Sequence, residues 1–285
     1  MMKNKTSFAT IFAIVFTISL VWSNSLLAQG KKQIELQDIW LRYRFMPQSP
    51  SQFNWMQDDN FYTELEKGKI EKYSIKDQKQ VGTILDIGSL KNPANNEALK
   101  VSNYSFSDDE SKVLLTGNIE PIYRRSTKEE AFVWDSKLGK VYQLHDGEQV
   151  SFATFSPDGK RIAYMFKNNL YTLDFETGKR YTITTDGEWN NIINGGCDWV
   201  YEEEFGFAKA FAWAPDSKRL AYYRFNESEV KEFSMTMFGE LYPEGYKFKY
   251  PKAGEANASV EIHFYEFASG NSVKANLGAE KDQYI

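Results

Sequence analysis

From about residue 51 the chain runs in short stretches that alternate polar and apolar residues or are rich in β-branched and aromatic ones. Examples are Lys112-Val113-Leu114-Leu115-Thr116, Arg161-Ile162-Ala163-Tyr164-Met165-Phe166 and Arg219-Leu220-Ala221-Tyr222-Tyr223-Arg224-Phe225. Turn formers separate them: Asp77-Gln78, Asp158-Gly159, Thr177-Gly178 and Asp186-Gly187. Many short strands with turns at this spacing predict an antiparallel all-β domain. Residues 31–50 read differently. Ile34, Leu36, Ile39, Trp40, Tyr43 and Phe45 are interleaved with Glu35, Asp38, Arg42 and Arg44, which predicts a short amphipathic helix ending before Pro47.

The strand pattern repeats. Phe106-Ser107-Asp108-Asp109-Glu110-Ser111-Lys112-Val113-Leu114 is echoed from Phe155 (Phe-Ser-Pro-Asp-Gly-Lys-Arg-Ile-Ala) and from Trp213 (Trp-Ala-Pro-Asp-Ser-Lys-Arg-Leu-Ala). A period of roughly 50 residues in strand–turn–strand units indicates a β-propeller, one four-stranded sheet per blade. The second half of each blade is visible at Lys69–Ile75, Ala131–Leu144, Asn169–Thr184 and Glu261–Phe267. We therefore expect about four antiparallel four-stranded blades, centred in 51–100, 101–150, 151–205 and 206–277, which is a partial propeller. Two stretches break the repeat, about 184–208 and about 226–258. The second carries Met235, Met237, Phe238, Tyr242, Tyr246, Phe248 and Tyr250. Such loops build a partner surface, shield a cavity or pack locally on an oversized blade.

The N-terminus changes the picture of where the protein works. Lys3 and Lys5 precede an apolar run from Phe8 to Trp22, and Leu26-Leu27-Ala28 offers a cleavage position. This is the pattern of a secretory signal peptide, with an apolar core shorter than the ~20 residues of a membrane span. The expected organisation is a signal peptide at 1–28, a helical segment at 29–50 and an incomplete propeller at 51–285. The product would be secreted or periplasmic, with no integral membrane span after cleavage; the alternative is that the segment stays uncleaved as an anchor. The 285-residue chain carries a formal charge of −5, and cleavage would remove two lysines and no acid. An acidic chain without a basic cluster argues against nucleic-acid binding. The single cysteine, Cys197, excludes an internal disulfide and reads as an inert, half-buried thiol. His145 and His263 stand far apart, and the sequence has no zinc, calcium-loop or phosphate-loop pattern, so we expect neither metal nor cofactor.

The most informative stretch is Asp198-Trp199-Val200-Tyr201-Glu202-Glu203-Glu204-Phe205. Three consecutive carboxylates stand between aromatic residues, and aromatic side chains favour burial while Glu does not unless paired. One reading is a solvated surface turn. The other has Trp199, Tyr201, Phe205 and Phe207 anchoring the backbone and holding the carboxylates at the lip of a cavity, where they would attract an ammonium group. Adjacent Glu203 and Glu204 do not by themselves flank a sugar, so a glycosidase pair is disfavoured.

The segment Asp198–Phe205 resembles the glutamate motif of the dipeptidyl peptidase IV family of serine exopeptidases, which includes bacterial prolyl tripeptidyl peptidases. The similarity continues through Phe211–Lys218, Leu220-Ala221-Tyr222, Phe225–Val230 and Tyr250-Pro251-Lys252-Ala253-Gly254-Glu255. It implies an N-terminal propeller that recognises peptides with a free N-terminus and a penultimate Pro or Ala. By the same resemblance Glu203 and Glu204 bind the substrate α-ammonium, whereas Glu202 is not usually assigned that role. Arg124 of the Tyr123-Arg124 pair helps hold a glutamate and the peptide carbonyl, with Arg125 as the competing choice. A guanidinium suits that task because its planar fork matches carboxylate and carbonyl oxygens.

The family also carries a C-terminal hydrolase domain with a Gly-x-Ser-x-Gly nucleophile elbow, and usually forms a homodimer. No such motif occurs in these residues, so no catalytic residue is assigned and the chain as given is expected not to cleave peptides. Residues 276–285 offer no closing strand, which favours an incomplete ring. The alternative is a stand-alone secreted propeller that binds peptides or a protein partner without catalysis.

Overall fold

The structure, a computed structural model, describes residues 33–47, 53–280 and 283–285. The signal-peptide reading of residues 1–28 lies outside the described residues. The chain divides into two compact units, at 1–50 and 51–285.

In the first unit the helix is shorter than its pattern suggests. It is a single five-residue turn, α1 (Leu36–Trp40). The amphipathic reading is also corrected: Ile34, Leu36, Ile39 and Trp40 are exposed and Asp38 is buried. The Asp38 carboxylate accepts a 2.8 Å hydrogen bond from Arg42 and pairs with Arg44 at 3.3 Å. So few residues make too few backbone bonds to sustain a helix alone. The Glu35–Asp38 capping box and these arginines organise the turn in its place.

The second unit is built of antiparallel sheets, as the strand pattern predicts. The first contains β1 (Phe53–Trp55), β2 (Phe61–Glu66), β3 (Lys69–Ser74) and β4 (Gln80–Asp86) in sequence order. The second contains β5 (Asn103–Phe106), β6 (Lys112–Pro121), β7 (Thr127–Asp135) and β8 (Lys140–Gln143). The third contains β9 (Ser151–Phe155), β10 (Arg161–Phe166), β11 (Asn169–Asp174) and β12 (Arg180–Thr182). This is the meander of propeller blades.

Strand parity explains how the blades stack, because alternate residues face opposite sides of a sheet. On β6, Val113 and Leu115 face the first sheet and pack with Ile70, Leu85 and Tyr104, while Leu114 faces the third sheet. On β10, Ile162 and Tyr164 pack against Val133 and Tyr142, while Ala163 faces the fourth sheet with Phe211 and Leu220. Central strands are thus buried on both faces. Hydrogen bonds stitch neighbouring blades: Tyr104 Oη to Thr63 Oγ1 at 2.8 Å, Tyr142 Oη to the Phe175 carbonyl at 3.2 Å, and Trp213 Nε1 to the Thr154 carbonyl at 3.1 Å.

The repeated Asp of the sequence motif organises the turn between the first two strands of a blade. Asp109 accepts from the Ser107 and Ser111 hydroxyls at 2.8 and 2.7 Å, and Asp158 from the Ser156 hydroxyl at 2.7 Å. These are Asx-type turns that any propeller can use, which is why the repeat reports fold and not function.

The fourth sheet departs from the expected boundaries. The reading placed this blade after residue 205, yet β13 (Ile192–Asn194) already belongs to it. The long strand β15 (Arg219–Asn226) pairs through Asn226, Phe225 and Arg224 with β13, and through Tyr222, Ala221 and Leu220 with β14 (Phe211–Trp213). β13 and β14 therefore lie along the same edge of β15, separated in the chain by a loop that carries the acidic motif. Period-2 patterning cannot show this, because a three-residue strand is too short to register. The sheet is completed by β18 (Ser259–Glu266) and β19 (Asn271–Lys274), and a separate hairpin, β16 (Glu232–Met237) and β17 (Glu244–Lys249), projects from it.

Candidate functional site

The loop between β13 and β14 is closed at its neck by backbone hydrogen bonds. Ala210 N–H donates to the Gly195 carbonyl and Tyr223 N–H to the Ala210 carbonyl, both at 2.9 Å. Gly195 opens the loop at φ +79, and a Cβ there would sit 2.5 Å from the Leu170 side chain. Within the loop the chain makes one helical turn from Trp199, widened to π geometry over Tyr201–Phe205. Asp198 caps it, accepting the Tyr201 N–H at 2.9 Å. Gly206, at φ +77, ends it in the left-handed conformation that glycine adopts without strain.

Successive side chains on a helical turn point in different directions around its axis, so the three glutamates cannot share one environment. Glu202 is buried, Glu203 is half-buried and Glu204 is exposed. Glu202 Oε1 accepts the backbone N–H groups of Arg125 at 2.5 Å and Ser126 at 2.8 Å. Glu203 meets the Arg124 guanidinium, whose Nε lies 3.1 Å from Oε1 and 2.7 Å from Oε2. Glu204 has no hydrogen-bond or ion-pair partner among the described residues. Arg124 is thus the arginine whose side chain pairs with a glutamate of the motif; Arg125 contributes its backbone N–H, and its guanidinium lies beside Gly206, where a Cβ would sit 3.6 Å from it. The solvated-turn reading holds for Glu204 alone. The anchoring reading holds for Tyr201, which is buried, but not for Phe205, which is exposed.

Beneath the turn, Tyr201 packs edge-on to Phe225 and Phe207, and its hydroxyl accepts the Ile285 N–H at 2.7 Å. This floor also holds acids. Burial pushes the Asp198 carboxyl up to about 6, against the Tyr201 N–H that favours its charge. Burial, followed by the nearby Asp198 charge, pushes Glu227 up to about 7 in spite of Lys249. Cys197 is buried and free. Desolvation, with Asp198 and Glu202 nearby, drives its thiol well above the usual range, so it is an unreactive packing residue, in line with the inert reading of the sequence.

One side of the site is an aromatic wall. Tyr123, one residue before Arg124, packs against Trp189 and Phe248, and Trp199 packs against Tyr250 with ring centroids 4.5 Å apart. The local-packing reading of the second inserted stretch holds for part of it. Tyr246, Phe248 and Tyr250 pack locally, while Met235, Met237, Phe238 and Tyr242 on the β16–β17 hairpin are exposed. A cavity of about 860 Å³ opens beside this wall, lined by Ile122, Met165, Phe166, Trp189, Met237 and Tyr246. Glu202, Glu203 and Glu204 are not among its lining residues.

Sequence reasoning missed Asp198 and Glu227 as a buried acid pair. Glu227 ends a strand-forming run and Asp198 follows Asn194-Gly195-Gly196-Cys197, and nothing local says that their side chains turn inward. Among the described residues no cluster of His, Cys, Asp or Glu could hold a metal ion, and no helix is long and apolar enough to cross a membrane.

In chemical terms, Arg124 pairs with Glu203 while the exposed Glu204 offers an open carboxylate acceptor beside it. That suits a small cation with several N–H donors. The fold is a blade repeat of antiparallel sheets with an acidic turn inserted in the fourth. Comparison with known proteins gives its family. Residues 107–285 match the "Dipeptidyl peptidase IV (DPP IV) N-terminal region", and the chain belongs to that family. It is 28% identical to mouse prolyl endopeptidase FAP over 263 residues, which is 90% of this chain and 33% of that protein. It is 27% identical to rat inactive dipeptidyl peptidase 10, over 88% of this chain and 31% of that one. The crystal structure of Porphyromonas gingivalis dipeptidyl peptidase 4 superposes with a TM-score of 0.82 at 34% identity, covering 90% of this chain and 37% of that one. The chain spans about a third of the length of the relatives it matches.

Proposed function

We propose that this chain is the substrate-recognition propeller of a secreted or periplasmic dipeptidyl peptidase IV-like serine exopeptidase. It binds the free α-ammonium of peptides with a penultimate Pro or Ala, for release of N-terminal di- or tripeptides by a hydrolase domain. The observation that carries this reading is the Arg124–Glu203 pair with Glu204 left open beside it. Glu203 and Glu204 supply the acceptors. Arg124 offsets their mutual repulsion and presents the donors at its free end to the peptide carbonyl. An ammonium is chosen over a blocked terminus because an acetylated amine has no charge and a single N–H donor in place of three.

Binding of an Ala-Pro-Ala peptide and its N-acetyl counterpart, followed by NMR titration, tests this. The free peptide should bind and the acetylated one should not, and Glu204→Gln should abolish the difference. Equal binding of the two peptides would overturn the reading. In this proposal the 285 residues recognise but do not cleave, so turnover of a Gly-Pro chromogenic amide by the purified chain would refute that part. Exposed Met235, Met237, Phe238 and Tyr242 are where a second copy would dock, which sedimentation of a Phe238→Asp variant would examine.

The second reading, a propeller that binds without catalysis, draws support from one relative, named an inactive dipeptidyl peptidase. Membership of the family does not by itself carry hydrolysis.

A further inference from the structure

The loop that carries Arg124 has little of its own to keep it in place. The Arg124 side chain is 70% exposed and its only charged partner among the described residues is Glu203. The loop closes on itself, with Ile122 N–H donating to the Ser126 carbonyl at 2.8 Å and Tyr123 N–H to Ser126 Oγ at 3.2 Å. That closure sets its shape but not its position relative to the acidic turn. Tyr123 packs the loop against Trp189 and Phe248 on the aromatic wall, and the direct hydrogen-bonded tie of its backbone to the acidic turn is Glu202. Its side chain is among the fully buried ones, and one oxygen takes two successive backbone N–H groups from a segment 76 and 77 residues earlier in the chain. Two adjacent N–H groups converging on one carboxylate oxygen form a small anion nest. The other oxygen, Oε2, is buried and makes no hydrogen bond among the described residues.

We infer that Glu202 is a positioning residue: it bolts the 122–126 loop to the acidic turn in the register that puts the Arg124 guanidinium on Glu203 and leaves Glu204 open. This rests on the amine-anchor reading above and adds a third role to the glutamate run. The first glutamate assembles the site, the second orients the arginine and the third is left for the ligand. Because one oxygen does the work, the inference requires an acceptor at that place and not a charge. A glutamine keeps an acceptor oxygen for both N–H groups; an alanine keeps none.

The test uses the purified full chain as wild type, Glu202→Gln and Glu202→Ala. Two quantities are read for each: hydrogen exchange of the Arg125 and Ser126 amides, and the preference for Ala-Pro-Ala over its N-acetyl counterpart. Exchange of the β10 and β15 amides checks that the blades stay folded. Glu202→Gln should keep both amides protected and keep the preference for the free amine. Glu202→Ala should speed exchange of the two amides by roughly tenfold or more. It should also weaken free-amine binding by about tenfold or more, because a displaced loop misplaces its arginine. Protected amides and unchanged preference in Glu202→Ala would overturn the inference. Loss of the preference in Glu202→Gln with both amides still protected would also overturn it, since Glu202 would then act on the ammonium by its charge. If wild type shows no preference, the amine-anchor reading fails by itself. The bolt is then decided by amide exchange alone, and unchanged protection in Glu202→Ala refutes it.

Discussion

Two parts of the second unit bury their residues in opposite ways. Between the second and third sheets, Leu114, Val133, Ile162, Tyr164 and Leu173 fill the space with apolar groups. The polar groups there, such as Asp158 and Ser156, sit in turns that satisfy one another. In the loop between β13 and β14 the chain buries Asp198 and Glu202, and nearby Glu227 is buried as well. The regular interface gains stability from area and parity. The loop spends some of it, holding acids where water would otherwise solvate them. A cost of that kind is tolerated where it positions something, and here it holds Glu203, Glu204 and Arg124 at the rim.

The sharpest way to break the comparison is at the regular interface. Ile162→Ala removes a fully buried side chain between two blades and should lower stability by about 2–5 kcal/mol. Urea unfolding would register this, while amine preference in the folded fraction should stay unchanged. If binding fell instead, the two regions would not be separable.

The buried acids make the second prediction, one of pH. Asp198 and Glu227 keep their protons in the folded chain up to about 6 and about 7, whereas in the unfolded chain they release them near 4. Between those limits the folded state binds more protons, so stability should fall as pH rises from about 4 to about 7 and level off above. The effect is at most roughly 3 kcal/mol for each group. Glu227→Gln should flatten the slope, as read by urea midpoints from pH 4.5 to 8. Asp174 acts in a different window. There burial is outweighed by hydrogen bonds from Thr177 and by Arg161, and the carboxyl is held low. Its contribution is lost only as pH falls below about 4.

Arg124→Ala should barely move stability, by less than about 1 kcal/mol, since the Arg124 side chain is largely exposed. Its effect belongs in binding, where the free-amine preference should drop by roughly tenfold as Glu203 and Glu204 are left to repel each other. A large loss of stability with binding intact would reverse the roles of the two regions. The smallest expected effect is at Cys197, which iodoacetamide should leave unmodified in the native chain and modify in urea; mass spectrometry gives the answer.

Much of this was legible in advance. The blades and their turns follow from short alternating runs and from Asx chemistry within a few residues, so Phe106, Phe155 and Trp213 mark them directly. Arg124 and the pair Glu203 and Glu204 were named from a resemblance, and the chain folds so that Arg124 meets Glu203. The split of the first strand of the fourth blade was not legible, because β13 and β14 are three residues each and are aligned only by β15. Nor was the single short turn of α1, whose apolar residues suggest a longer helix than its hydrogen bonds sustain.

The sequence by itself determined that the chain is an antiparallel blade repeat and that an acidic run interrupts it, because strand periodicity and turn chemistry are local properties. Tertiary structure decided which of three identical side chains goes inward. Burying the Glu202 carboxylate needs donors, and they come from Arg125 and Ser126, more than seventy residues away in the chain. The different fates of Glu202, Glu203 and Glu204 are set by that long-range contact and by the angle between neighbours on one helical turn.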